Sequence, residues 1–340
     1  MSPLRPIEII GGGLAGLSLG TALCRAGVPV TVIEAGDYPR HRVCGEFITG
    51  LTSATIARLG LAPVLADALP HHEVAWFLRD EPVRVQRLPS PARGLSRHAL
   101  DARLAAAFTA AGGSLRTHTR FADTAPVAGR VFATGRRRSR FAWLGLKIHA
   151  LGLPLARGLE LHLGDETYVG LSQIEDGRVN ICGLFRRREL CAKGPDLLLG
   201  YLQAAGLEEL AARLAAARLD PASFCAVAAV GFDRRVAASE RVQLGDSCAM
   251  IPPFTGNGMA MAFQSAEAVL DPLLAYARGE HSWPEAQREI ETRLRQRFRL
   301  RLASAAALHP YFLQPTKQRW LSGLSRARLL PLRPLYAILH

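Results

Sequence analysis

Four residues near the N-terminus, Gly11, Gly13, Gly16 and Glu34, have the types and spacing to hold the phosphates and ribose of a dinucleotide. The run Gly11-Gly12-Gly13-Leu14-Ala15-Gly16 fits G-x-G-x-x-G. In that pattern the first glycine permits a tight turn and the second lets the backbone approach a pyrophosphate. The third lets the helix pack closely on the strand before it. A helix starting at Leu14 and Ala15 turns unpaired N–H groups and a partial positive charge toward the phosphates. Glu34, followed by Ala35, stands where a carboxylate accepts hydrogen bonds from a ribose diol and repels a 2′-phosphate. NAD or FAD is therefore favoured over NADP.

These residues need particular elements to position them, and the sequence supplies the pattern. Ile7–Ile10 reads as a short apolar strand. A helix from Leu14 to Ala26 follows, with Leu14, Leu17 and Leu23 on one face and Gly27 as its C-cap. Pro29–Ile33 reads as a second strand ending at Glu34. A lone glycine motif is a weak signal, but strand, glycines, helix, strand and acid in register make a strong one.

A second constellation lies about two hundred residues further on. Gln243-Leu244-Gly245-Asp246 closes a strand, and Pro253-Phe254-Thr255-Gly256-Asn257-Gly258 opens a helix from about Met259 to Tyr276. Gly245-Asp246, Pro253 and Gly256-x-Gly258 resemble the G-D…P-x-x-G-x-G pattern of flavin enzymes built like p-hydroxybenzoate hydroxylase and geranylgeranyl reductase. The resemblance implies FAD. It gives Asp246 the ribityl chain and lays Gly256, Asn257, Gly258 and Met259 near the isoalloxazine, where a helix dipole stabilises the negative charge of reduced flavin.

Two shorter segments extend this resemblance. Ser96-Arg97-His98-Ala99-Leu100-Asp101 is similar to the family's S-R-x-x-L-D stretch, which implies that Arg97 approaches FAD. Arg42-Val43-Cys44-Gly45-Glu46 is similar to the basic-x-Cys-Gly segment of geranylgeranyl reductases, whose cysteine lies close to the flavin ring. Arg42 is read as a partner of FAD phosphate or of solvent, and Cys44 as an active-site thiol or a small buried hydrophobe.

The resemblance spans roughly residues 6 to 275 and fails in places. After Val131-Phe132-Ala133, where the family has Asp-Gly, the chain reads Thr134-Gly135-Arg136-Arg137-Arg138-Ser139. That aspartate is associated with NADPH access, so reduction by NAD(P)H competes with electron delivery from a separate reductase. Residues 115–131 are too few for the family's β-meander, and the tryptophan-halogenase W-x-W-x-I-P segment is absent.

The expected fold class is α/β: a Rossmann-like FAD-binding domain of the glutathione-reductase type, a β-sheet-rich substrate domain and a helical C-terminus. The FAD domain is expected from residues 1–70, 94–140 and 230–275, and the substrate domain from 71–93 and 141–229. Strands are read at Phe141–Ala150, Leu159–Leu163, Tyr168–Ser172 and Val179–Cys182, with a hairpin turn at Glu175-Asp176-Gly177. His162, Tyr168 and Asn180 alternate with apolar neighbours and are expected to face solvent or substrate. Helical patterns follow at Asp196–Ala205 and Leu207–Ala216.

The chain has 340 residues, 49% hydrophobic and 21% charged, and a net charge of +13 with only three lysines. It can bury a large core, and no segment reads as an apolar transmembrane span. Its first strand starts within six residues, so a signal peptide is not expected. Six cysteines without a C-x-x-C pair argue against zinc and disulfide frameworks and for a reducing cytoplasm. The clusters Arg136-Arg137-Arg138 and Arg186-Arg187-Arg188 read as solvated loops, and no nucleic-acid-binding motif accompanies them. Residues 276–340 combine basic residues (Arg293, Arg295, Arg297, Arg299, Arg301, Arg326 and Arg328) with Trp320, Leu321 and Leu324. Such a region suits the surface of an anionic membrane, on its inner face, or a helix packed on the FAD domain.

The expected function is an FAD-dependent oxidoreductase for a lipophilic small molecule. Hydroxylation of a phenolic, polyketide or quinone-precursor ring is preferred, because monooxygenases are the more numerous branch of the superfamily. The alternatives are reduction of C=C bonds in a prenyl or lipid chain and electron transfer without a substrate. A nicotinamide dehydrogenase has no need of Gly245–Gly258.

Overall fold

The structure is a computed structural model that describes residues 3–122, 125–136, 143–236 and 239–340. The chain begins with β1 (Ile7–Ile10), α1 (Leu14–Arg25), β2 (Val30–Ile33), β3 (Phe47–Ile48) and α2 (Ser53–Leu59). It continues through β4 (Leu69–Leu78), β5 (Glu81–Gly94), α3 (Arg97–Ala110), β6 (Ser114–Arg116) and β7 (Arg130–Phe132). Then come β8 (Trp143–Leu151), β9 (Leu159–Gly164), β10 (Thr167–Gln173), β11 (Arg178–Arg186), α4 (Pro195–Ala204), α5 (Glu208–Ala215) and β12 (Arg218–Val230). It closes with β13 (Val242–Gln243), α6 (Gly258–Ala277), α7 (Trp283–Leu313), α8 (Pro315–Arg326) and α9 (Leu332–Leu339).

Two sheets divide these strands. The first is five-stranded and parallel, in the order β13-β7-β1-β2-β6. The second has eight strands in the order β12-β8-β11-β10-β9-β4-β5-β3, antiparallel except where β4 meets β9. Parallel strands need crossover connections, and α1 supplies the first. Gly11 has φ +110°, and a Cβ there would lie 2.3 Å from the Ala133 carbonyl oxygen; a Cβ on Gly16 would lie 2.1 Å from that of Gly11. Both glycines are therefore demanded by close backbone approach.

The main core joins α1, α3, α6 and α7 to the parallel sheet. A second core, with Ile148, Ile181 and Leu171 from the antiparallel sheet and Leu202, Leu210 and Leu214 from α4 and α5, covers one face of that sheet. Among the described residues no strand interrupts residues 117–129, in keeping with a trimmed meander.

One expectation needs correction. His162, Tyr168 and Asn180 are all buried, with relative exposures of 2%, 4% and 0%, so none faces solvent. Nor do all three share a face: His162 pairs across the sheet with Val169 of the α4–α5 core, whereas Tyr168 and Asn180 point the other way. Strand alternation reveals two faces, but it cannot tell which of them a helix or a second lobe will cover. Phe141 and Ala142, read as the start of β8, lie outside the described residues, as do Arg137 and Arg138.

The C-terminal region packs as helices. Ser282 and Glu285 form a capping box at the start of α7, which buries Ala286, Ile290, Leu294, Phe298 and Leu302 against the main core. Phe298 is 1% exposed and Leu300 is 62% exposed. Phe298→Ala should destabilise the fold by about 3–5 kcal/mol, whereas Leu300→Ala should stay within about 0.5 kcal/mol. Thermal melts of the two variants check this.

Candidate functional site

The glycine turn after β1 opens a crevice. Gly13 caps α1 without any side-chain hydrogen bond, so the first N–H groups of the helix are free for a ligand. Leu14 and Ala15 are buried on this turn. Glu34, at the end of β2, accepts hydrogen bonds from the N–H groups of Gly12 (2.8 Å) and Gly36 (2.9 Å) and from Arg40 Nη2 (2.6 Å). Burial works to raise its carboxyl, but these donors and the Arg40 charge hold it below the ordinary value. Ala35 beside it is exposed. The sequence reading gave Glu34 a ribose; in the structure its carboxylate braces the glycine turn.

The distant motif ends on the same edge of the parallel sheet, because β13 pairs with β7 and β7 with β1. A Cβ on Gly245 would lie 3.4 Å from the Ala15 Cβ, so the two motifs touch. Asp246 is half-buried in the crevice. Burial pushes its carboxyl above the usual aspartate value, with Arg97 and Arg136 acting against that. Among the described residues its carboxylate has no hydrogen-bond partner. Beyond it, Pro253 starts a short turn, Gly256 (φ +68°) ends it, and Asn257 caps α6 without a side-chain bond to the helix. The Asn257 side chain instead donates to the Leu339 carbonyl. Met259 is buried in the first turn of α6.

Several features fit an extended anionic dinucleotide here. The Asp246 carboxylate lacks a partner. The buried Nη1 of Arg136 has none either, which corrects the solvated-loop reading for that residue. A Cβ on Gly13, Gly135 or Gly258 would meet open space, and two helix N-termini point the same sign of charge at the crevice.

Arg42 and Arg97 converge on Asp101. Arg42 Nε lies 3.1 Å from Asp101 Oδ2, and Arg97 makes a two-pronged contact of 2.8 and 2.9 Å. Asp101 is fully buried, so neither arginine is committed to solvent. Cys44 is half-buried beside Arg97. Burial raises its thiol above the ordinary cysteine value despite Arg97, so the protonated thiol, not a thiolate, stands there at neutral pH.

The sequence reading missed a buried charge network next to Cys44. Glu46 (0% exposed, φ +55°) lies 2.6 Å from His149 Nε2 and 3.4 Å from Lys147 Nζ, and it accepts the Arg97 N–H at 3.0 Å. Lys147 Nζ is 3.2 Å from His41 Nδ1. His41 stacks on His98 at 4.5 Å, and burial, then Lys147, push it down to about 4. Asn180 Nδ2 donates to the Cys44 carbonyl (3.0 Å) and Ser172 to that of Gly45 (2.8 Å). One face of the antiparallel sheet therefore grips the segment 44–46. The available signal was Lys147 and His149 two apart on an apolar strand, since a lysine there needs a buried partner.

Further along the same face the lining turns aromatic. Phe254, from the turn before α6, stacks on Phe312 at 4.1 Å and on His309 at 5.9 Å. Tyr168, Trp143 and Phe232 close around them. Tyr168 Oη and His309 Nε2 are 3.3 Å apart, and burial pushes His309 down to about 4, so the imidazole is neutral.

Glu46 generates a prediction. Burial alone would raise its carboxyl, but the His149 hydrogen bond and Lys147 hold it below the ordinary glutamate value. Its stabilisation is thus present above the unfolded value near pH 4.5 and lost as pH falls through the folded one. Glu46→Gln should cost about 3–5 kcal/mol at neutral pH by stranding Lys147. The wild-type advantage should shrink on acidification, and Glu46→Gln/Lys147→Met should recover part of the loss. Chemical denaturation across pH measures each difference.

Comparison with known proteins agrees with this geometry. Residues 5–139 match the FAD binding domain family. A menaquinone reductase from Mycolicibacterium smegmatis is 29% identical over 138 residues, which cover 39% of this chain. The match spans about a third, 34%, of that relative's own length. Among solved structures, p-nitrophenol 4-monooxygenase PnpA from Pseudomonas putida superposes with a TM-score of 0.77 at 14% identity, covering 100% of this chain and 97% of that one. HpxO of Klebsiella pneumoniae, complexed with FAD and uric acid, gives a TM-score of 0.74 at 16% identity, covering 98% and 96%. The chain therefore matches the FAD binding domain family at residues 5–139 and shares, along nearly its whole length, the fold of these two flavin-enzyme structures.

Proposed function

We propose that this protein is an FAD-dependent monooxygenase acting on a lipophilic, ring-containing small molecule. One observation carries the reading: Phe254, in the turn that leads into Gly256 and Gly258, stacks on Phe312 within a partly buried aromatic cluster that holds the polar pair Tyr168–His309. Gly11, Gly13, Leu14, Ala15, Gly16, Glu34, Ala35, Arg42 and Arg97 would hold the adenosine and pyrophosphate half of FAD. Gly245, Asp246, Pro253, Gly256, Asn257, Gly258 and Met259 would hold the ribityl chain and ring. When bound, the flavin supplies two-electron transfer and activation of O₂.

The protein's own residues do the rest. Asp246 accepts hydrogen bonds from the cofactor's hydroxyls. The N-termini of α1 and α6 favour its negative charge. Phe254, Phe312, Tyr168 and Trp143 exclude water and stack on a ring, and the Tyr168 hydroxyl orients a substrate oxygen with neutral His309 behind it. Menaquinone, p-nitrophenol and uric acid, the molecules named for the similar proteins, all contain rings.

A second reading, reduction of a C=C bond or quinone, is favoured by the named menaquinone reductase and by Cys44 in its protonated form. Cys44→Ser separates the two, since unchanged product formation counts against the reductase. Electrons come from NAD(P)H or from a separate reductase. The missing aspartate near Gly135 supports the latter, and rapid bleaching of the flavin by NAD(P)H alone in stopped flow would contradict it. The basic C-terminal region supports a peripheral location on the cytoplasmic face of an anionic membrane.

The purified protein should be yellow and release FAD on heating. Asp246→Ala, which removes a charged hydrogen-bond acceptor, should raise the FAD dissociation constant roughly 10- to 100-fold, as read by fluorescence titration. A colourless protein that cannot bind added FAD overturns the reading.

A further inference from the structure

The positive charge is concentrated in one region. From Thr292 to His340 the chain has ten lysines and arginines and no aspartate or glutamate, so these 49 residues hold ten of the thirteen net charges. Three of the α7 arginines are neutralised: Arg293 pairs with Asp271 and Glu289, Arg295 with Glu291, and Arg297 with Glu267. Beyond α7 the pattern changes. Lys317, Arg319, Arg326, Arg328 and Arg333 form no ion pair among the described residues.

Apolar side chains stand among these cations. Trp320 is 59% exposed and Leu329 is 69% exposed. Thr316, Arg319, Trp320, Gly323, Arg326 and Ala327 are the exposed positions of α8 and its C-cap, spaced as one helical side. The opposite side buries Gln318, Leu321, Ser322 and Ser325. A solvated helix face has no reason to carry an exposed tryptophan between arginines.

The inner side of α8 touches the aromatic cluster. Trp320 contacts Tyr311 at 5.6 Å, the next residue Phe312 stacks on Phe254, and Leu321 and Leu330 pack in the same cluster. Packed side chains, Tyr311, Phe312 and Phe254, thus lie between the exposed Trp320 and the turn before α6.

We propose that the outer face of α8 and the turn after it, Arg319, Trp320, Arg326, Arg328 and Leu329, seat the protein on an anionic lipid bilayer. The three arginines meet lipid headgroups, while Trp320 and Leu329 enter the interface between headgroups and chains. This surface adjoins the aromatic cluster, so a lipophilic substrate delivered from the bilayer arrives beside Phe254; that last step alone rests on the proposed function.

The test uses the full-length protein and vesicles of phosphatidylcholine with and without phosphatidylserine. Sedimentation should show binding only to the anionic vesicles, falling as salt is raised. Of the four tryptophans only Trp320 is exposed, so its fluorescence should shift to the blue on binding, and Trp320→Phe should abolish the shift. Arg319→Gln/Arg326→Gln/Arg328→Gln should weaken binding about fivefold per arginine, on the order of 100-fold together. Trp320→Ala/Leu329→Ala should weaken it several-fold, whereas Leu300→Ala, an exposed leucine on α7, should leave it unchanged. Flavin content, measured on the same samples, should not move in any variant, which separates this proposal from the cofactor reading. No binding to anionic vesicles overturns it. So does binding that duplex DNA abolishes and that ignores Trp320 and Leu329, the result expected of a general polyanion site.

Discussion

Glu46 is the constraint on which the arrangement of the two sheets rests. Its carboxylate takes the N–H at the start of α3 from one lobe and His149 and Lys147 from the other, with no exposure to water. A buried lysine is tolerable only with a paired anion, and breaking such a pair is costly. The grip of Ser172 and Asn180 on the backbone of Cys44 and Gly45 adds direction to the charge. Together they fix how the antiparallel sheet stands over the crevice, and so where the aromatic cluster begins.

The crevice itself is a problem in placing positive charge. Arg42, Arg97 and Arg136 stand near it with two helix N-termini, and Asp101 offsets only part of that charge. An anionic dinucleotide completes the balance, and Asp246, partnerless and raised by burial, suits neutral hydroxyls rather than phosphate. The Cys44 thiol sits in this field yet stays protonated, because desolvation outweighs its arginine neighbour.

The C-terminal helices link this interior to the surface. α7 supplies Phe298 to the core and His309 and Phe312 to the aromatic cluster, and α9 returns to the flavin-motif turn through Leu339 and Asn257. Their basic residues therefore serve two environments: Arg293, Arg295 and Arg297 on α7 meet acids of the protein, and Arg319, Arg326, Arg328 and Arg333 beyond it face outward.

Both glycine motifs, the strands beside them and the helices after them were legible in the sequence, because turn chemistry and hydrophobic period are local. The pairing of Gly11–Gly16 with Gly245–Gly258 came from family resemblance, and the structure brings Ala15 and Gly245 into contact. What lay beyond reach was which face of a strand would be covered. His162, Tyr168 and Asn180 look alike in sequence, yet one lies under α5, one in an aromatic cluster and one on the Cys44 backbone. Likewise no spacing rule links Glu46 to Lys147 and His149, a hundred residues apart. The local pattern determined the elements and the cofactor turns; only tertiary packing, which sets desolvation and charge pairing at long range, decided which polar side chains became the site.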